Sequence, residues 1–302
     1  MAWLSVLGAI ACVVARFMLA SRRTVDVTGL LYVLQPFHAA AFALRRCLPL
    51  RARPLRHSNE DKARLFSYAG DDARSLEKRE RVLRKRYDLG ALSDASSRDV
   101  YRENLYVIDA LDRFVDGNTL GRRVRALDVG SKDFRYATAL ARWLGHAGTR
   151  SPREVSLTGI ELEGHRLHPD LRTRRDHAEA FAAEVGGAIV TYEVADFLAR
   201  DEREVDVVFM LFPFVLEYAL VRWGLPRSFF LPDRMLACVK ASLRPGGLVV
   251  IFNHTEEERA RQQELLTEAG FEIVSSDPLD SDLVDYASDL GERSITVARA
   301  PR

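Results

Sequence analysis

The stretch Leu127-Asp128-Val129-Gly130-Ser131-Lys132-Asp133-Phe134 decides how this chain is read. An apolar β-like run over 124–129 ends there in a turn of small residues and passes into a helical pattern over 135–144. A small-residue turn between strand and helix lets a ligand approach the backbone closely, and an acid in it can meet a cation or an amino group. Working outward, short apolar runs and amphipathic stretches keep alternating, with further candidate strands at 155–160, 188–193, 205–210, 248–252, 271–274 and 294–298. That alternation predicts a mainly parallel α/β sheet with helices on both faces, its last two strands forming an antiparallel pair. In such sheets ligands bind outside the carboxyl ends of the strands, where the strand order reverses.

The residues that follow each strand therefore carry the chemistry. Gly159-Ile160-Glu161 ends the second strand, and a carboxylate there can accept hydrogen bonds from both hydroxyls of a ribose. Ala195-Asp196-Phe197 follows the third, where Asp196 can accept from an exocyclic amine while apolar neighbours flank a flat base. Singly, each acid reads more simply as a helix N-cap. In this order, and with Leu243-Arg244-Pro245-Gly246-Gly247-Leu248-Val249-Val250 and Glu268-Ala269-Gly270-Phe271 downstream, the chain resembles the class I S-adenosylmethionine-dependent methyltransferases over residues 120–299. The resemblance implies a Rossmann-like methyltransferase sheet of seven strands, mostly parallel with the last antiparallel. It also implies S-adenosylmethionine as cofactor, held by Asp128, Gly130, Ser131, Glu161, Asp196 and Phe197.

Two departures stand out. The family's first loop reads acid-x-Gly-x-Gly, whereas Gly130 is followed by Ser131 and Lys132, so one glycine remains; Ser131 can replace some backbone contacts and Lys132 can meet a carboxylate. The distance from Asp128 to Glu161 exceeds the roughly 20 residues of a compact β-α-β unit, and 145–153 reads as an inserted loop. A nicotinamide-binding domain is disfavoured because no G-x-G-x-x-G follows the first strand.

On the substrate side, the fourth strand leads into Met210-Leu211-Phe212-Pro213-Phe214-Val215-Leu216-Glu217-Tyr218. This is not the Asp/Asn-Pro-Pro-aromatic signature of enzymes that methylate amino groups of nucleic-acid bases or glutamine. Phe212, Phe214 and Tyr218 can line an apolar acceptor pocket, and Trp223-Gly224-Leu225-Pro226 with Phe229-Phe230 extends an apolar segment over it. Glu217 and His254 are the candidate catalytic bases, needed only where the acceptor must lose a proton. His165 and His168, near Glu161 and Glu163, read as a surface loop cluster, and no metal site is expected.

The chain has 302 residues, 47% of them apolar and 29% charged, which suits a packed soluble core. Its net charge is only +1, but residues 1–60 hold eight Arg against Asp26 and Glu60, leaving an acidic remainder. Nucleic acid is therefore not an expected partner of the whole chain. Three scattered cysteines, Cys12, Cys47 and Cys238, exclude a disulfide framework and suit a reducing compartment. Uncharged runs at 2–15 and 27–44, each followed by arginines, approach the roughly 20 residues that span a bilayer. The arginines would keep the remainder on the cytoplasmic side of the membrane. The expected organisation is an apolar and basic segment at 1–56, a helical extension or cap at 57–119 and the core at 120–302. The expected function is methyl transfer to a small or lipid-like acceptor by a cytoplasmic core attached to the inner face of a membrane. The alternative is a catalytically silent methyltransferase fold acting there as a binding or scaffold protein.

Overall fold

The computed structural model describes residues 27–47, 55, 57–279, 281, 283 and 293–302. Seven strands form one sheet: β1 (Arg123–Val129), β2 (Glu154–Glu161), β3 (Ile189–Val194), β4 (Val205–Leu211), β5 (Leu243–Asn253), β6 (Glu272–Pro278) and β7 (Ser294–Arg299). Their order is β3-β2-β1-β4-β5-β7-β6. Strands β1 to β5 are parallel, and β7 runs antiparallel to both β5 and β6. All seven expected strands are present, and the Rossmann-like sheet is the one that the sequence predicts.

Successive side chains of a strand point to opposite faces, and the apolar residues divide accordingly. Val207 and Phe209 of β4 and Val250 and Phe252 of β5 face the helices α5 (Arg98–Phe114), α6 (Ala137–His146) and α7 (Arg174–Glu184). Val208 and Met210, with Val249 and Ile251, face α9 (Pro232–Ser242) and α10 (Glu256–Glu268). Both faces are covered, which is why these strands read as continuous apolar runs.

Upstream, α3 (Ala73–Arg86) and the short α4 (Gly90–Ala95) pack on α5. Ser97 caps α5, its hydroxyl accepting from the Val100 amide at 3.4 Å. Buried Asn104 then stitches α5 to the start of α6: its amide donates to the Arg135 carbonyl at 2.8 Å and its carbonyl accepts from the Ala139 amide at 2.9 Å. The charged stretch 60–87 holds one α-helix preceded by 3-10 turns at Ser67–Asp72, where Gly70 at φ +55° interrupts the helical path.

The uncharged run 27–44 is corrected more substantially. It forms α1 (Val27–Val33) and α2 (Gln35–Cys47), separated by a turn at Leu34, with Pro36 in the first turn of α2, where its missing N–H costs nothing. Among the described residues no helix is long and apolar enough to cross a membrane. Instead Phe42 is buried against Leu220, Val221 and Leu225, next to α8 (Glu217–Arg222) and the 3-10 turn Arg227–Phe229. The first uncharged run lies outside the described residues.

Candidate functional site

The carboxyl ends of β1 and β4 open into a cleft of about 880 Å³. It sits where the strand order reverses, between β1 and β4, the place where parallel sheets bind ligands. Val129, Gly130, Met210 and Leu211 line it from the sheet side. One end carries Lys132, Glu161, Glu163 and Arg174; the other is walled by Leu220, Leu225, Phe229, Leu231, Met235 and Leu265.

Glu161 is the last residue of β2, and the main chain fixes its carboxylate. One oxygen accepts from the Lys132 amide at 2.9 Å and the other from the Glu163 amide at 2.8 Å, while the Arg174 guanidinium lies 3.5 Å away. A carboxylate has about four acceptor sites, so one remains for a ligand in the cleft. The loop that follows β2 is held close by Gly164, where an added Cβ would come within 2.3 Å of the Val194 side chain.

The loop after β1 keeps a glycine-loop backbone with one glycine. Gly130 has φ +80°, and nothing lies within 4 Å of where its Cβ would be, so its backbone faces open space. Lys132, two residues on at the family's second glycine place, also has a left-handed φ of +52°, a conformation that strains a side-chain-bearing residue by roughly 1–3 kcal/mol. Its side chain projects where a glycine would leave room. The ammonium lies 5.3 Å from the Phe212 ring centroid and 5.4 Å from that of Trp223. Burial lowers its pKa, and the nearby Arg174 charge lowers it further.

Below this loop lies Asp128, fully buried, with the Tyr136 hydroxyl beside its carboxyl group. Desolvation pushes its pKa up to about 8, so it is protonated at neutral pH. The Tyr136 hydroxyl is buried with it, and desolvation together with the Asp128 carboxyl raises its pKa. Ser131 is buried too, with its hydroxyl 3.0 Å from where a Cβ on Gly159 would stand.

Of the six expected cofactor contacts, Gly130 and Glu161 line the cleft. Asp128 and Ser131 lie beneath its rim. Asp196 caps a 3-10 turn, accepting from the Leu198 amide at 3.0 Å, and Phe197 is buried in the core under that turn. Phe212 and Phe214 line the cleft, whereas Tyr218 does not.

The two candidate bases also lie outside the lining. His254 stacks on Phe212 with ring centroids 3.9 Å apart. Its Nδ1 is buried without a partner, and desolvation drops its pKa to about 4, which leaves the ring neutral at pH 7. Glu217, the first residue of α8, pairs with Arg227 at 2.8 Å and accepts from the Tyr32 hydroxyl of α1 at 3.2 Å. The Arg227 hydrogen bond holds its pKa below the usual carboxylate range, so it is a poor proton acceptor.

Three functional-site residues escaped the sequence reading. Arg174 opens α7 and turns back to Glu161 and Glu163. Glu163 collects Arg166 at 3.0 Å and Arg45, which reaches in from α2. No pattern in the sequence links Arg45 to Glu163, more than a hundred residues apart.

A central β1 flanked by β2 and β4, the reversal beside it, an antiparallel β7 between β5 and β6, and an acid-x-Gly loop at that reversal settle the architecture. The fold is that of the class I methyltransferases. No protein-family model matches the sequence. No curated protein matches it either. Among solved structures, the chain is similar to an S-adenosylmethionine-dependent methyltransferase from Aquifex aeolicus, at 16% identity over 66% of this chain and 97% of that one, with a TM-score of 0.42. It is also similar to the N-methyltransferase NodS from Bradyrhizobium japonicum, at 15% identity over 68% and 98% and a TM-score of 0.41. The cyclase SpnF matches at 18% identity over 66% and 80%, with a TM-score of 0.44.

Proposed function

We propose that this protein transfers a methyl group from S-adenosylmethionine to a small or lipid-like acceptor bound in the cleft. The observation that carries the reading is Glu161: a buried carboxylate at the carboxyl end of β2, fixed by two backbone amides, lining a cleft at the strand-order reversal. The donor suits the residues present. Gly130 offers open backbone, and Glu161 keeps acceptor capacity for ribose hydroxyls.

Bound S-adenosylmethionine supplies an electrophilic methyl group on a sulfonium. The protein's part is then positioning and exclusion of water, since displacement at such a carbon depends mainly on an in-line arrangement. Glu161 and Gly130 hold the donor side, and the apolar wall from Leu220 to Leu236 orients the acceptor. Neither candidate base is placed to take a proton from the acceptor: His254 is stacked on Phe212 outside the lining with its pKa lowered to about 4, and Glu217 is held by Arg227.

Membrane attachment belongs to the same proposal. Val33, Phe37 and Leu44 are exposed along α1 and α2 at steps of four and seven residues, next to exposed Arg46, and the first 60 residues are strongly basic. An anionic lipid surface fits that combination. Sedimentation with phosphatidylglycerol vesicles, but not with phosphatidylcholine ones, is the expected result; equal recovery with both would remove it.

A second reading, a catalytically silent binding module, is favoured by Lys132 at the second glycine place. Incubating the full chain with S-adenosylmethionine and candidate acceptors, with mass-spectrometric detection of S-adenosylhomocysteine and methylated product, separates the two. Turnover supports the transferase; no demethylated cofactor with any acceptor supports the silent module.

A further inference from the structure

The polar end of the cleft is lined by Lys132 and Arg174 with Glu161 and Glu163, and Arg45 and Arg166 reach Glu163 from outside the lining. Arg45, Arg166 and Arg174 gather on the carboxylates Glu161 and Glu163, with Arg174 within 4.0 Å of both. Lys132 joins them without an ion-pair or hydrogen-bond partner for its ammonium among the described residues. Four cations thus face two carboxylates. The next acids, Asp133 and Glu103, are both engaged by Arg135, at 2.7 and 3.3 Å. Burial also lifts the pKa of Glu103 to about 7.

The cations share one aromatic ring. The charge centres of Lys132, Arg166 and Arg174 each lie 5.4 Å from the Trp223 ring centroid. An indole face favours a cation but does not neutralise it. A half-buried ammonium with no counter-ion is costly, and a ligand that brings the missing negative charge recovers that cost. Immediately beyond Trp223 the lining becomes apolar, through Leu220, Leu225, Phe229 and Met235.

We infer that the cleft binds an amphiphilic anion, with its carboxylate or phosphate head on Lys132 and its apolar body along the wall beyond Trp223. This deepens the proposed function by giving the acceptor a charge and a shape, and it rests on that reading only for the word acceptor. Anion capture itself does not require methyl transfer.

Calorimetric titration of the full chain with decanoate and with decan-1-ol tests it. Decanoate binds at least tenfold more tightly than the alcohol, Lys132→Met abolishes the difference, and Lys132→Arg restores most of it. Equal affinity for the two probes, or an unchanged preference in Lys132→Met, overturns the inference, as does failure of both to bind a cooperatively melting chain. Competition locates the head group. Displacement of decanoate by S-adenosylhomocysteine but not by methylthioadenosine would mean that Lys132 serves the amino-acid carboxylate of the cofactor, which overturns the assignment to the acceptor. Decanoate binding that persists with saturating S-adenosylhomocysteine supports it. Decanoate binding by a chain that ignores S-adenosylhomocysteine keeps this inference while removing the methyl-transfer reading.

Discussion

The two ends of the cleft are built by different means. At the β1–β2 end, backbone amides fix a buried carboxylate, and charged side chains gather around it. At the far end, apolar side chains of 220–236 form the wall, and a helix from the other end of the chain, α2, buries Phe42 behind it. One end depends on hydrogen-bond geometry set by adjacent parallel strands. The other depends on packing between segments more than 170 residues apart in sequence. The first is therefore the more tightly fixed, and α2 touches both, burying Phe42 behind the far wall and sending Arg45 to Glu163.

The sharpest way to break this contrast is at Glu161. Removing its charge strands the Lys132 and Glu163 amides and the Arg174 guanidinium. Glu161→Ala is expected to cost about 2–4 kcal/mol of stability along with all nucleoside binding. Glu161→Gln, which retains one acceptor oxygen, should melt closer to the parent yet lose at least tenfold in affinity for S-adenosylhomocysteine by calorimetry. At the other end, Phe42→Ala removes an aromatic wedge whose burial is worth about 3–5 kcal/mol where packing cannot collapse. The expected result is local. Amide exchange should accelerate across 27–47 while S-adenosylhomocysteine affinity changes less than twofold, and acceleration through β1 and β2 as well would deny that the β1–β2 end is the more tightly fixed.

Asp128 gives a smaller effect with a defined pH dependence. Its pKa in the folded protein is raised to about 8, above the roughly 3.9 of an unfolded chain, so the folded state binds the proton more tightly. The resulting stabilisation is complete below about pH 4 and is lost as pH rises towards 8. Asp128→Asn should therefore gain melting temperature relative to the parent as pH rises from 5 to 8, by roughly 3–6 °C if relaxation leaves 1–2 kcal/mol of the burial cost. Least of all, Lys132→Gly relieves a left-handed lysine and should stabilise the folded chain by about 1 kcal/mol at most. Its value lies in binding. If Lys132 only blocks a silent site, the glycine variant gains affinity for S-adenosylhomocysteine.

Legibility in the sequence followed the same division. Strand positions, the acids after strands and the parallel architecture were readable because each is local, depending on a short apolar run and on the turn chemistry next to it. Glu161 was found on that basis and lines the cleft. A carboxylate that caps a turn and one that meets a ligand have the same local sequence, and Asp196 caps a turn, its Oδ1 accepting from the Leu198 amide. For the helices at 27–47, an uncharged run has the same composition whether it crosses lipid or packs on protein; the break at Leu34 and the burial of Phe42 against Leu220 and Val221 came only with the fold. Arg45 and Arg174 were invisible because charge pairing across the fold leaves no periodic trace, and Glu163, read as part of a surface loop, is buried among them. Lys132 was visible as a departure from a glycine pattern, but its left-handed backbone and its place over Trp223 came only with the fold.

The most direct test of the account is calorimetric titration of S-adenosylhomocysteine into the full-length chain, with Glu161→Gln as control. The account predicts one micromolar site per chain, weakened at least tenfold in the variant. An absence of binding by wild-type protein that melts cooperatively would contradict it and leave the cleft to a ligand of another kind.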